Sequence, residues 1–180
     1  MSKVIIFPTD TVYGIGTPIF DLEGIEKIYQ IKNRSKDKPL ACLCANLEQI
    51  ENIAYVDSNA KKLINKFLPG GLTVILKSKE IVLEKIGYET IGIRIPNHKL
   101  ALSLLEENGA MLTTSVNDSG ELPINEYEEI VIKYSNLVDA IYKSDIHSSN
   151  VSSTVVRIID GNVSILREGI ISKEDIEKVL

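Results

Sequence analysis

An apolar segment followed at once by a polar turn opens the chain, where residues 4–16 read VIIFPTDTVYGIG. Val4–Phe7 is rich in β-branched residues and is closed by Pro8, which predicts a buried strand. Two hydroxyls, a carboxylate and a phenol follow, beside Gly14 and Gly16. Open α/β sheets bind ligands at the carboxyl ends of their strands. The turn is therefore either a ligand-binding loop or a structural strand-end turn.

Helical and strand patterns are mixed along the rest of the chain. Helical spacing predicts helices over 22–29, 47–53, 58–67, 100–105, 127–134 and 172–180, with Asp21, Ser58 and Ser172 as N-terminal caps. Apolar runs predict strands over 40–45, 72–76, 91–95, 111–115, 137–141, 154–159 and 163–166. The last two strands flank Asp160-Gly161, a strong hairpin signal. We expect one α/β domain over residues 1–180, with a mixed sheet and flanking helices. The serine-rich residues 144–153 are expected to form a mobile loop.

The composition is that of a globular chain of 180 residues, 44% of them hydrophobic and 25% charged. This excludes a disordered chain, and no apolar run approaches the roughly 20 residues of a membrane helix. The apolar segment before Pro8 is too short for a signal peptide, so we expect a cytoplasmic protein. A formal charge of −5 gives no support for a general nucleic-acid binder. Cys42 and Cys44 are expected in the core rather than in a metal site, which only His98 and His147 could complete.

Positive charge is concentrated after the first predicted helix, where residues 32–38 read KNRSKDK. Such a cluster either complements the helix dipole as a solvated helix end or binds a polyphosphate, which Arg and Lys commonly hold together. Another cation, Arg94, lies within the apolar strand 91–95, where an unpaired charge is costly. It needs a carboxylate or phosphate partner, either in the protein or in a ligand.

Hydroxyl side chains are concentrated in two further segments, Thr113–Ser115 and Ser152–Thr154. The first leads into the polar turn 117–120, and turn chemistry does not explain three consecutive hydroxyls ahead of it. The sequence has neither a GxxxxGK[ST] phosphate loop nor a GxSxG nucleophile turn. Neither histidine lies in a recognisable triad, and His98 is expected to open a helix. Any chemistry is therefore expected to rest on cations and hydroxyls.

Eight segments, taken in order, resemble the YrdC/TsaC family, the threonylcarbamoyl-AMP synthases. They are PTDTVYGIG (8–16), KNR (32–34), KPL (38–40), PGGLT (69–73), IRIPNH (93–98), TSVNDSG (114–120), STVV (153–156) and LREG (166–169). The resemblance implies a single-domain, twisted, open mixed α/β sheet with flanking helices and a concave ligand-binding face. It also implies the conversion of L-threonine, bicarbonate and ATP into threonylcarbamoyl-adenylate and pyrophosphate. That product would serve tRNA-modification proteins in threonylcarbamoylation of adenosine 37 (t6A).

The resemblance also implies residue roles. Threonine would be bound by Thr11, Arg94, Thr113 and Ser153. ATP would be held by Lys32, Arg34, Lys38, Thr90, Ser115, Asn117 and Arg167, with Lys32 and Arg34 as the catalytic cations. A carbamate formed from threonine and bicarbonate would attack the α-phosphorus, so catalysis would come from positioning and charge stabilisation rather than from an enzyme nucleophile. Mg²⁺ is expected on the ATP phosphates, with few or no protein ligands.

Departures from the family pattern keep other functions open. Val116 replaces a common alanine beside the expected nucleotide site, and Leu43 stands where some members have a threonine-contacting histidine. Gly71 replaces a common proline, Arg157 stands where an acid is common, and only three residues precede Val4, where the family usually has a helix. One alternative is a nucleotide- or RNA-binding relative without synthase activity. Another is a carbamoyl-transferring domain that uses carbamoyl phosphate, as in hydrogenase maturation. Direct RNA binding, which has been proposed for some members, is left open, and the acidic balance does not support it.

Overall fold

The computed structural model describes residues 3–144, 149 and 151–180. Among these residues nine strands form one sheet: β1 (Ile5–Phe7), β2 (Gly14–Pro18), β3 (Ala41–Leu43), β4 (Leu72–Lys77), β5 (Thr90–Arg94), β6 (Met111–Ser115), β7 (Ala140–Ile141), β8 (Thr154–Ile159) and β9 (Asn162–Arg167). The helices of this part of the chain are α1 (Leu22–Ile31), α2 (Leu47–Ile53), α3 (Ser58–Phe67), α4 (Glu80–Ile86), α5 (Lys99–Asn108), α6 (Tyr127–Tyr134) and α7 (Lys173–Glu177). None of these helices has the length and apolar character needed to cross a membrane.

The sheet is mixed, as the sequence predicts. Its strand order is β7-β1-β2-β6-β3-β5-β4-β8-β9. The pairs β1–β7, β3–β5 and β4–β8 are parallel, and the remaining neighbours are antiparallel. The predicted hairpin at Asp160-Gly161 is confirmed and joins β8 to β9.

The two faces of the sheet are covered unequally. On the first face, alternate strand residues such as Ile15, Val74 and Ile93 pack into a large core with buried apolar residues from every helix except α5, which contributes the half-buried Leu102. On the second face, α5 contributes Ala101, Leu104 and Leu105 to a smaller core, which covers parts of β1, β3 and β6. The second face of the sheet beyond this small core is where the candidate site lies.

Most predicted elements are confirmed, and the differences have local causes. Asp57 rather than Ser58 caps α3, because the Asp57 carboxylate accepts the N–H of Ala60 at 2.8 Å. Neither β2 nor α4 was predicted: β2 reads GIGTP, a poor strand former, and pairs with β1 on one side and β6 on the other. Helix α4 is short and has no side-chain hydrogen bond at its cap.

The remaining structural expectations have mixed outcomes. Cys42 and Cys44 are fully buried in the core, and His98 opens α5 as its cap, both as predicted. The strand predicted over 137–141 is shorter, Ala140–Ile141, and the last helix ends at Glu177. The loop predicted over 144–153 includes residues 145–148 and 150, which lie outside the described residues.

Candidate ligand-binding site

A cavity of about 360 Å³ lies on the second face of the sheet. Because side chains alternate between the two faces of a strand, every second residue at this end of β4 and along β5 faces it, whereas β6 contributes its last three residues and β8 contributes Val155. The strand residues lining it are Thr73, Ile75, Thr90, Gly92, Arg94, Thr113, Thr114, Ser115 and Val155. Loop segments and the end of β9 add Thr11, Val12, Arg34, Pro39, Leu40, Ser152, Ser153 and Arg167. Three arginines and a group of hydroxyls therefore face one hollow.

A smaller cavity of about 120 Å³ shares part of this lining. All four residues expected to bind threonine line both cavities: Thr11, Arg94, Thr113 and Ser153. Arg34, Thr90 and Arg167, expected to bind ATP, line only the larger one. The smaller cavity is thus lined by the four predicted threonine residues without these three, and Ser115 lies in both linings.

Arg94 is buried and is held by three hydrogen bonds. Its Nη2 donates to Asp10 Oδ1 at 2.5 Å, its Nη1 to Thr11 Oγ1 at 2.6 Å and its Nε to the carbonyl of Gly70 at 2.9 Å. The partner that the sequence left open is therefore a carboxylate of the protein, Asp10. Burial lowers the pKa of Arg94, and the Asp10 charge opposes this shift. Three of the five guanidinium N–H groups are used in these bonds.

Ser153 and Arg167 are fixed against each other. Arg167 donates to the carbonyl of Ser153 from Nη2 at 2.8 Å and from Nε at 3.2 Å, and Ser153 Oγ lies 2.7 Å from Thr73 Oγ1. Gly169 passes so close behind that a Cβ there would lie 2.2 Å from the carbonyl oxygen of Ser152. Only glycine allows this approach, which explains the glycine of the LREG segment.

Lys32 lies behind the cavity wall rather than in it. Its ammonium donates to the carbonyl oxygens of Ser115 and Asn117 at 2.5 and 2.6 Å, and to Asn117 Oδ1 at 2.6 Å. All three N–H groups of a lysine ammonium are thereby used, and the residue is 1% exposed. Burial, and then the charge of Arg34, lower the pKa of Lys32 to about 8. Lys32 therefore fastens the end of β6.

Asn117 belongs to the same fastening. Its side-chain Oδ1 also accepts from Ser115 Oγ at 2.7 Å, and its Nδ2 donates to the carbonyl of Glu121 at 2.6 Å. Neither Lys32 nor Asn117 is among the described residues that line the larger cavity. Of Lys32, Ser115 and Asn117, only Ser115 is among the described residues that line it.

The loop after α1 forms one wall of the larger cavity. Arg34, Pro39 and Leu40 line it, whereas Lys38 is exposed and is not among the described lining residues. Arg34 donates from Nε to the carbonyl of Lys38 at 2.9 Å and from Nη2 to that of Pro39 at 3.1 Å. The loop's own carbonyls therefore orient the guanidinium.

Two glycines of the opening motif make room for Thr113. A Cβ at Gly14 would lie 2.7 Å from Thr113 Cγ2, and one at Gly16 would lie 2.7 Å from Thr113 Oγ1. These two residues of β2 pair directly with β6. The pattern Gly14-x-Gly16 is therefore required by a threonine that faces the cavity, a reason that no local sequence rule supplies.

Residues missed by the sequence analysis lie around this cavity. Asp10 and Thr73 were quoted within motifs but given no role, although a buried arginine in an apolar strand already called for a carboxylate. Tyr29 and Tyr88 bond to the loop after α1, Tyr29 OH to the carbonyl of Lys38 and the N–H of Leu40 to Tyr88 OH, each at 3.1 Å. Tyr88 is distant in sequence and carried no signal.

The fold and the site define an α/β protein whose single sheet carries a polar, cation-lined hollow on its less covered face. The chain belongs to the Sua5/YciO/YrdC family. The family's sequence profile, described as "Telomere recombination", matches residues 1–169.

Named relatives are similar over nearly the whole chain. A threonylcarbamoyl-AMP synthase of Bacillus subtilis is 35% identical over 99% of this chain and 53% of the relative. A Methanocaldococcus jannaschii protein, provisionally named as the same synthase, is 38% identical over 94% of this chain and 81% of its own length. The chain spans about half the length of the Bacillus relative.

Solved structures share the fold. Pyrococcus abyssi Sua5 complexed with L-threonine superposes with a TM-score of 0.91 and 32% identity, over 99% of this chain and 54% of that one. Escherichia coli YciO superposes with a TM-score of 0.83 and 30% identity, over 97% of this chain and 87% of that one. The expected YrdC-like fold class is thereby confirmed.

Proposed function

We propose that this chain is a threonylcarbamoyl-AMP synthase, which forms L-threonylcarbamoyl-adenylate and pyrophosphate from L-threonine, bicarbonate and ATP. The observation that carries the proposal is the pair of adjoining cavities. One has the hydroxyls and the arginine expected for a small amino acid, and the other adds two more arginines. The names of the relatives support the same activity.

The smaller cavity is the proposed threonine site. Arg94 lies in it with Asp10 on one side, and a carboxylate of the substrate is a second, charge-assisted acceptor for the same guanidinium. The hydroxyls of Thr11, Thr113 and Ser153 surround that position. The similarity to Pyrococcus Sua5, which was solved as a complex with L-threonine, supports this choice of ligand.

The larger cavity is the proposed ATP site. Arg34 and Arg167 face it and supply positive charge for the phosphates, and Thr90 and Ser115 supply hydroxyls. Lys38 reaches the nucleotide from the exposed rim. Lys32 and Asn117 act from behind by holding Ser115 in place, and Lys32 adds charge rather than a direct contact.

The proposed reaction needs no nucleophile from the protein. A carbamate oxygen of N-carboxy-threonine attacks the α-phosphorus, the bond to the β-phosphate oxygen breaks, and pyrophosphate leaves. Arg34 and Arg167 stabilise the charge that develops on the phosphates. We propose that Mg²⁺ arrives with ATP as part of the substrate, since the described lining of the larger cavity has hydroxyls and arginines but no carboxylate to hold the ion.

The product is proposed to pass to tRNA-modification proteins that install threonylcarbamoyl on adenosine 37. An acyl-adenylate hydrolyses readily in water, so a consuming partner that acts promptly is expected. We propose the cytoplasm as the location, because ATP, threonine and tRNA occur together there.

Threonine-dependent pyrophosphate release tests the proposal. The protein is incubated with MgATP and bicarbonate, with L-threonine, L-valine or no amino acid. L-valine has nearly the same shape but lacks the hydroxyl, which makes it the matched control. We expect release with threonine and little with valine, because three hydroxyls of the site would lose their partner. Release that ignores threonine contradicts the proposal, and ATP binding without turnover favours a nucleotide-binding relative without synthase activity.

A further inference from the structure

The cavity wall formed by Pro39 and Leu40 is supported from behind by two tyrosines. Tyr29 comes from α1 and is buried, and Tyr88 comes from the turn between α4 and β5. Both line a separate hollow of about 270 Å³ on the far side of this wall. Neither lines the larger cavity, so their contacts to the loop cannot be explained by direct ligand binding.

The two phenols form a chain of hydrogen bonds in which each group donates to the next. The N–H of Leu40 donates to Tyr88 OH at 3.1 Å, and Tyr29 OH donates to the carbonyl of Lys38 at 3.1 Å. The two phenol oxygens are 3.1 Å apart. Each phenol has one proton, and that of Tyr29 is already directed to Lys38, so Tyr88 donates to Tyr29. Burial, and then Tyr88, raise the pKa of Tyr29 further above its ordinary value.

This relay meets Arg34 at one atom. The carbonyl oxygen of Lys38 accepts both from Tyr29 OH and from Arg34 Nε, which lies 2.9 Å away. The backbone N–H of Arg34 also donates to the carbonyl of Tyr29 at 2.9 Å. The two tyrosines therefore fix the acceptor that orients the Arg34 guanidinium, and they tie both ends of the Lys38–Leu40 turn together.

We propose that Tyr29 and Tyr88 are positioning residues for the nucleotide: through Lys38 and Leu40 they hold Arg34 in the orientation that binds the ATP phosphates. This rests on the proposed function for the identity of the ligand. Threonine binding does not depend on the relay, because the residues of the smaller cavity make no bond to either phenol.

The test compares MgATP affinity with threonine affinity in phenylalanine variants. Tyr88→Phe removes one hydroxyl and keeps the ring. We expect the Kd for MgATP, measured by titration calorimetry without threonine, to rise roughly fivefold, because the variant loses the hydrogen bond to Leu40 N–H that holds the loop. The Kd for threonine, measured by the same calorimetry, should stay at the wild-type value. Tyr55→Phe is the matched control, because Tyr55 is exposed and its hydroxyl bonds only to the Glu80 carboxylate among the described residues.

A double-mutant cycle tests whether the two phenols act as one relay. We expect Tyr29→Phe to weaken MgATP binding as Tyr88→Phe does. The double variant should lose no more MgATP affinity than the single variant with the larger loss. Unchanged Kd for MgATP in both single variants overturns the inference, and so do equal losses of ATP and threonine affinity or strictly additive effects. A wild-type protein that binds MgATP but releases no pyrophosphate with threonine contradicts the proposed function alone, since the calorimetric comparison remains valid.

Discussion

Asp10 and Arg94 form an ion pair in which Oδ1 and Nη2 lie 2.5 Å apart, and their side chains are 21% and 8% exposed. The pair joins the first turn of the chain to β5, and its arginine lines both cavities. Its guanidinium is held by the protein before any ligand arrives. Preorganised donors of this kind cost no reorganisation when a carboxylate binds.

Removing Arg94 should separate threonine binding from ATP binding. We expect Arg94→Ala to raise the KM for threonine by roughly tenfold or more, the value of a charge-assisted hydrogen bond, with a much smaller change in the KM for ATP. Steady-state pyrophosphate release measures both. Arg157→Ala is the control, because Arg157 is exposed and outside the described lining. Equal changes in both KM values would show that Arg94 serves the fold and not the amino acid.

Substitutions of Lys32 and Arg34 should affect different properties, stability and ATP binding, although the two residues are only two positions apart. Lys32→Met removes the donor shared by three oxygens, of which Asn117 Oδ1 keeps the Ser115 hydroxyl and the two carbonyls lose the lysine, so we expect a loss of about 2–4 kcal/mol in the free energy of unfolding. Arg34→Ala removes a half-buried cation, so we expect near wild-type stability and a KM for ATP raised by roughly tenfold. Urea unfolding and steady-state kinetics distinguish the two. A stable Lys32→Met protein would contradict the fastening role.

Gly169 should tolerate no side chain. A Cβ would lie 2.2 Å from Ser152 O and 2.6 Å from Ser153 C, and these are backbone atoms that cannot turn aside. We expect Gly169→Ala to lose about 1–3 kcal/mol of stability and to displace Ser153. Gly92→Ala is the folding control, since its Cβ meets only Thr73 Cγ2 at an ordinary 3.4 Å and Ile75 Cγ1 at 3.6 Å. Thermal melts that coincide for wild type and Gly169→Ala would refute the close packing.

His98 should make the fold sensitive to acid. Its Nδ1 caps α5 by accepting from Ala101 N–H, and its Nε2 lies 3.0 Å from Ser144 Oγ. Burial lowers the pKa of His98 below 6.5, against the opposing charge of Asp10. As the pH falls below 6.5, the unfolded chain takes up the imidazole proton before the folded chain does. The free energy of unfolding therefore decreases as the pH decreases, by at most about 1.4 kcal/mol per pH unit, until the folded imidazole is protonated as well.

Urea unfolding between pH 7 and pH 5 measures this effect. His98→Asn keeps a capping side chain without the titrating ring, so its stability should fall less than that of the wild type over the same range. Other titrating groups are common to both proteins and cancel in the difference. Parallel curves for the two proteins would exclude a contribution from His98.

The sequence indicated the polar residues of the candidate site because some of them are energetically costly to bury and others are unusual in their segment. Arg94 interrupts an apolar strand, and a buried guanidinium requires an acceptor wherever the chain is folded. The hydroxyls of Thr113–Ser115 exceed what a turn needs. Most strands and helices were also predicted, since periods of 2 and 3.6 are local properties. The ordered motifs then indicated the family.

Only the tertiary structure decided which of these residues face the ligand. Lys32 and Arg34 belong to one motif, yet Lys32 is turned behind β6 and Arg34 into the cavity, because Ser115 and Asn117 offer three acceptors from a strand more than 80 residues away. Strand β2 exists because β1 and β6 pair with it, against its own propensity. Contacts between distant segments also pair Asp10 with Arg94 and place Tyr88 behind the cavity wall formed by Pro39 and Leu40. Such contacts are fixed by packing the whole chain, which no local pattern specifies.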